Sequence, residues 1–172
     1  MKPTSQSPQA VPNPHKNSVS DDTLIISSEF IQRLAILTRK LGYVFNDLSL
    51  PKRALTHRSF DSKKNYERLE FLGDALLGMI VGEALYHRYP TQNEGRLTRM
   101  RATLVRQESL VIIAQNLELS NQLILGVGER KGGGRNRASI LADAVESFIW
   151  AIYLDSQDMD ITRDCVLSWY GD

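Results

Sequence analysis

The 172-residue sequence predicts an all-α domain behind an N-terminal tail, and three observations carry that prediction. Apolar residues recur at helical spacing through most of residues 28–170, and no stretch shows the alternation of a half-buried strand. The interruptions are helix punctuation: Gly42, Pro90 and a glycine-rich run at 126–134. Hydrophobic residues make up 42% of the chain, enough for one sizeable core, and the length favours a single domain.

Residues 1–27 are the expected tail and 28–172 the expected domain. The first 20 residues are rich in Pro, Ser, Gln and Asn and contain no acid. They also lack Arg and an amphipathic pattern, which favours a plain disordered tail over an organellar transit peptide. "SSEFIQRLAILTRKLGY" opens on a serine cap, repeats apolar residues at helical spacing and stops at Gly42. In "NDLSLPKRALTH", Asp47 is the expected cap of a second, short helix ending near His57, after which "RSFDSKKN" reads as a loop. Residues 65–89 are expected to form one long helix closed by Pro90. A further helix is expected from near Asn93 towards Leu117. The connector "SNQLILGVGERKGGGRNR" shows no helical period, "ASILADAVESFIWAIYLD" resumes it, and "MDITRDCVLSWYGD" supplies a last helix reaching the chain end. No internal repeat is present.

The formal net charge of +1 conceals an uneven distribution. Residues 52–68 hold six Lys or Arg against two acids, 88–106 five Arg against Glu94, and 129–137 four basic groups against Glu129. From Asp155 onward the sign reverses, with five Asp and one Arg. The basic clusters read either as solvated helix surface or, if folded together, as an anion-binding face. Cys165 is the only cysteine, which excludes an internal disulfide and a Cys-based zinc site and makes a reducing cytosol the simplest compartment. The three histidines have no ligand spacing, and His57 and His87 read as surface or cap residues. No apolar run approaches the roughly 18 residues of a membrane span, and no secretory signal is evident. The connector lacks the order of a P-loop, so no nucleotide cofactor is expected; it reads as a solvated linker or as a basic loop able to wrap a phosphate backbone.

The carboxylates are harder to place. "NYERLEFLGDALLGMIVG" carries Glu67, Glu70 and Asp74 into an apolar helix, and at about 100° per residue they occupy an arc of roughly 60° on one face. Asp143 and Glu146 repeat the spacing inside "ILADAVESFIWAI". Salt bridges to Arg68, Arg88 or Arg96 would be a structural explanation of either set alone. If the two helices pack side by side, the carboxylates converge and need a cation to stay ionised. An all-oxygen set suits Mg²⁺ or Mn²⁺. Glu83 falls nearly opposite in phase to Asp74 and reads as structural.

"ERLEFLGDALL" resembles the signature of the ribonuclease III endonuclease domain. "ALTHRSF", "EGRLTRMRATLV", "GERKGGGRNRASILADAVESFIWAIYLD" and "SWY" resemble further blocks of bacterial ribonuclease III in order and approximate spacing, over roughly residues 30–170. The resemblance implies an all-helical domain that forms a homodimer and cuts double-stranded RNA with Mg²⁺, for which Mn²⁺ substitutes, leaving staggered ends with 5′-phosphates and 3′-hydroxyls. Cytoplasmic processing of ribosomal and messenger RNA would follow. By motif position, Glu70, Asp74, Asp143 and Glu146 should hold the metal. Asp74 and Glu146 should be catalytic, with loss of Glu146 the most damaging. Glu67 and Glu94 match outer acidic positions of the cleft. Phe71 matches an aromatic that inserts into the partner subunit, where residue patterning alone leaves a core aromatic equally open. Thr56, His57, Arg130, Lys131, Arg135 and Arg137 match regions that touch RNA. The family pattern continues with a double-stranded-RNA-binding domain where this sequence stops at Asp172, so weaker and more salt-sensitive RNA binding is expected. A non-catalytic RNA-binding scaffold on the same fold is the alternative, but it has no need for four acidic positions. A small-molecule phosphohydrolase would need a base or sugar pocket, and dispersed basic clusters fit a polyanion better.

Overall fold

A computed structural model describes residues 27–171; most of the expected tail therefore lies outside the described residues. Helix α1 spans Ser28–Leu41, with Ser27 accepting from the Phe30 N–H at one end and Gly42 in the left-handed region (φ 72°) at the other. Helix α2 is Ser49–Leu55; its N-cap position falls on Leu48, not on the expected Asp47, whose carboxylate sits one residue earlier and accepts from the Ser49 N–H at 2.9 Å. Helix α3 runs from Glu67 to Arg88.

The helix expected from Asn93 to Leu117 is two helices. Asn93 caps α4, Glu94–Val105, but Arg106 is extended (φ −68°, ψ 155°), and α5 restarts at Gln107–Asn116. The reason is packing. Helix α4 lies on α3 with no fully buried residue, whereas α5 turns inward onto the core and buries Leu110, Ile113 and Ala114. The connector is also more ordered than its pattern suggests, holding short helices α6 (Leu119–Gln122) and α7 (Val127–Lys131) and a 3-10 turn at Gly134–Asn136. Helix α8 spans Ala138–Ser156, and α9 spans Met159–Ser168, ending before the chain does.

Helices α3 and α8 form the most extensive helix pair, with α2, α5 and α9 packed around α8. A Cβ at Gly73 of α3 would collide with the backbone carbonyl of Glu146 on α8, so glycine permits this crossing. Burial of Leu69, Leu76, Leu77 and Ile80 from α3 against Val145, Phe148, Ile149 and Ile152 from α8 makes the centre of the core. Among the described residues the only β-type pairing is one isolated bridge, Thr56 with Ile124, and no helix is long and apolar enough to cross a membrane. That bridge fastens the end of α2 to the connector: Ile124 donates to the Leu55 carbonyl at 2.9 Å, and His57 donates to the Ile124 carbonyl at 3.0 Å.

Candidate metal centre

The close crossing at Gly73 sets the carboxylates of α3 beside those of α8. One oxygen from each of Glu70, Asp143 and Glu146 lies within 4.8 Å of the others, and all three residues are half-buried. Burial raises the pKa of all three. For Glu146, burial and then the charges of Asp74, Asp143 and Glu70 push it up to about 8. Glu70 is raised by burial and by Asp143, Glu67 and Asp74. At Asp143, burial raises the pKa, while a hydrogen bond from Tyr66 and the His57 ring favour the charged form. Among the described residues no Lys or Arg forms an ion pair with these three acids, so the surface salt-bridge explanation does not apply to them. Three convergent carboxylates without a cationic partner form an all-oxygen donor set of the kind that suits a hard cation.

Asp74 stands one turn along α3 from Glu70 and is exposed. It lies outside the close triad, although its charge reaches Glu70 and Glu146. Glu67 begins α3, 3.4 Å from Arg58. Two of the three triad acids, Glu70 and Asp143, line a cleft of ≈ 740 Å³ together with His57, Arg58, Glu67 and Arg137, among others. Glu94 does not reach it from within this chain. It lies in the first turn of α4, accepts from the Thr98 hydroxyl at 2.7 Å, and lines a separate groove between α4 and the second half of α3.

The residues expected to touch RNA divide by exposure. Arg130 and Lys131 are exposed on α7, and Arg137 faces the cleft while pairing with Glu129 at 2.8 Å. His57 lines the same cleft; burial lowers its pKa, against the opposing charge of Glu129, and its Nδ1 accepts from the Ser59 N–H. Thr56 requires a correction: it is 5% exposed, and its hydroxyl donates to the Lys52 carbonyl, closing α2. Arg135 is half-buried and donates to the Ser120 carbonyl at 2.8 Å, bracing the connector. Phe71 is 75% exposed, which removes the core reading. It shares an exposed apolar surface of α3 with Leu72, Met79 and Tyr86.

Sequence reasoning passed over Gly73, Tyr66 and Glu129. Gly73 carried a usable signal, because a glycine inside a long helix costs about 1 kcal/mol against alanine and so calls for a packing reason. Tyr66 carried none, since its partner Asp143 lies 77 residues further on; Glu129 pairs with Arg137, eight residues away, but only because the 3-10 turn folds the connector back.

Residues 47–170 match the family model described as ribonuclease-III-like. The chain belongs to the ribonuclease III family. It is 94% identical over all 172 residues to Ribonuclease 3 of Psychrobacter arcticus, covering 65% of that protein. It is 63% identical over 134 residues, 78% of this chain, to Ribonuclease 3 of Acinetobacter pittii, covering 58% of it. The chain thus spans 58% to 65% of the length of these curated relatives. Among solved structures, the nuclease domain of ribonuclease III from Campylobacter jejuni superposes with a TM-score of 0.78 at 40% identity, covering 81% of this chain and 94% of that one. Dicer from Pichia stipitis superposes with a TM-score of 0.59 at 27% identity, covering 74% of this chain and 56% of that one. The helical architecture is thus that of the ribonuclease III nuclease domain.

Proposed function

We propose that this chain is a Mg²⁺-dependent endoribonuclease that cuts double-stranded RNA to staggered ends with 5′-phosphates and 3′-hydroxyls, acting as a homodimer. The observation that carries this reading is the convergence of Glu70, Asp143 and Glu146 from two helices with no cationic partner, in a chain of this family. A compact set of carboxylate oxygens fits Mg²⁺, with Mn²⁺ as a substitute. Bound there, the ion would supply charge neutralisation at a phosphodiester and a means of activating water. The chain's own groups divide the remaining work. Glu70, Asp143 and Glu146 hold the ion, and exposed Asp74, one turn along α3, adds negative charge on the open side. Glu67 borders the cleft, while Glu94 belongs to an outer acidic position away from this chain's own triad. His57, Arg130, Lys131 and Arg137 contact phosphates and 2′-hydroxyls, which suffices for A-form RNA because that duplex is read largely by shape and backbone.

Phe71 and its apolar neighbours on α3 form the contact between subunits, and two subunits bring one carboxylate cluster to each strand of the duplex. Cytoplasmic maturation of ribosomal and messenger RNA is the role this activity serves. The test is incubation of the protein with end-labelled duplex RNA in Mg²⁺ or in EDTA, beside a Glu146→Gln variant. Staggered cutting that needs Mg²⁺ and is lost in the variant is expected. Duplex binding without cutting under any metal condition would favour a non-catalytic RNA-binding scaffold.

A further inference from the structure

Among the described residues, one side chain donates a hydrogen bond to the three clustered carboxylates: the Tyr66 hydroxyl, 3.1 Å from Asp143 Oδ2. Its placement is tightly determined. Tyr66 is 2% exposed, its N–H donates to the Thr56 carbonyl at 2.9 Å, and its own carbonyl accepts from Leu69 and Glu70 at 2.7 and 2.9 Å as α3 begins. The ring lies 5.7 Å from that of His57, and the Ser147 hydroxyl reaches the Tyr66 carbonyl from α8 at 3.4 Å. The donor is therefore anchored to the end of α2, the start of α3 and the middle of α8 at once.

A carboxylate that rotates freely presents either oxygen to a ligand, whereas one whose Oδ2 is held has its plane fixed. Fixing that plane matters most where three acids crowd within a few ångströms, because a rotated carboxylate would turn lone pairs towards its like-charged neighbours. A phenol is well suited to this position. It is neutral, and its hydroxyl donates. An ammonium or guanidinium in its place would compete with the bound cation for the same negative charge.

We propose that Tyr66 is a positioning residue of the metal centre, orienting the Asp143 carboxylate and thereby setting how tightly the cluster holds a divalent cation. The proposal rests on the reading of Glu70, Asp143 and Glu146 as a Mg²⁺ site. Partners behind metal ligands characteristically change affinity by 10- to 100-fold. Replacement of Tyr66 should accordingly weaken metal binding while leaving cleavage at saturating metal little changed.

The test compares wild type, Tyr66→Phe and a protein carrying 4-aminophenylalanine at position 66, which restores a donor on a ring of similar size. Mn²⁺ binding is measured by calorimetry and the Mg²⁺ dependence of duplex cleavage alongside it. Expected are an approximately 10-fold weaker Mn²⁺ affinity and a matching rise in half-saturating Mg²⁺ for Tyr66→Phe, cleavage at saturating Mg²⁺ within about two-fold of wild type, and recovery of affinity by the amino analogue. Unchanged affinity in Tyr66→Phe beside a wild type that binds and cuts would overturn the proposal and leave the nuclease reading standing. Collapse of the fold in Tyr66→Phe would also overturn it, because the hydroxyl would then serve architecture. Absence of saturable binding in wild type would overturn both readings.

Discussion

Gly73 on α3 touches the backbone carbonyl of Glu146 on α8, and this contact places Glu70 and Glu146, each three residues or fewer from a crossing partner, within reach of one cation. Gly73→Ala should therefore separate the helices. Alanine would favour the helix by about 1 kcal/mol, but overpacking against backbone costs about 1–3 kcal/mol and wins. Chemical denaturation should show net destabilisation, and calorimetry a loss of divalent-metal binding. A variant as stable as wild type that binds metal normally would refute the role assigned to this crossing.

The cluster makes metal-free stability depend on pH. Burial, with the charges of Asp74, Asp143 and Glu70, raises Glu146 from 4.5 to about 8 in the folded protein. Between those values the folded form keeps a proton that the unfolded chain releases. The contribution is fully present below 4.5 and is lost as pH rises towards about 8. Melting temperature in EDTA should fall across that window, and the fall should be shallower in Glu146→Gln. Because metal requires the deprotonated ligands, added Mg²⁺ should raise the melting temperature more at pH 8 than at pH 6. Equal slopes in the two proteins would contradict this account.

Asp155, at the far end of α8, has the opposite sign. Burial would raise its pKa, but the Asn46 and Asp47 N–H groups, the Tyr43 hydroxyl and the Asn46 amide outweigh that and hold it below the ordinary value. Its stabilisation is present above the unfolded value of 3.8 and is lost as pH falls through the folded one. Asp155→Ala should cost about 2 kcal/mol at pH 7, as hydrogen bonds to a charged group do. Urea titrations should show the gap from wild type narrowing at acid pH.

Phe71 contributes little to its own chain's core, so Phe71→Arg should change monomer stability by no more than about 0.5 kcal/mol. Sedimentation should nevertheless shift from dimer to monomer at micromolar concentration. Persistence of the dimer would move the subunit contact away from this part of α3.

The ends of α1 and the start of α4 were legible because caps act locally: Ser27, Gly42 and Asn93 do in the structure what their residue types suggest. The break at Arg106 was not. No Gly, Pro or cap residue marks it, and the chain turns there because α4 lies on α3 while α5 faces α8. Helices α6 and α7 are too short to announce themselves by periodicity and depend on contacts such as Arg135 with Ser120. The carboxylate spacing predicted convergence, and of the five acids so spaced Glu70, Asp143 and Glu146 meet. Asp74 stays outside because four residues along α3 carry it about 6 Å further on. Thr56 shows the limit of motif position alone: a hydroxyl in the right place along the chain is turned inward by its helix.

The bridge between Thr56 and Ile124 is formed by main-chain groups, and Gly126 extends it, donating to the Ser59 hydroxyl at 3.0 Å in a space that a Cβ would fill with the Ser59 carbonyl. The two banks of the cleft, the His57 segment and the α7 connector, are thereby laced together by main-chain groups and the Ser59 hydroxyl, without regard to the other side chains they display. Width and chemistry become separable properties. Apart from Gly126 and Ser59, residues along either bank are free to diverge and alter the chemistry of the cleft without loosening the tie between its banks.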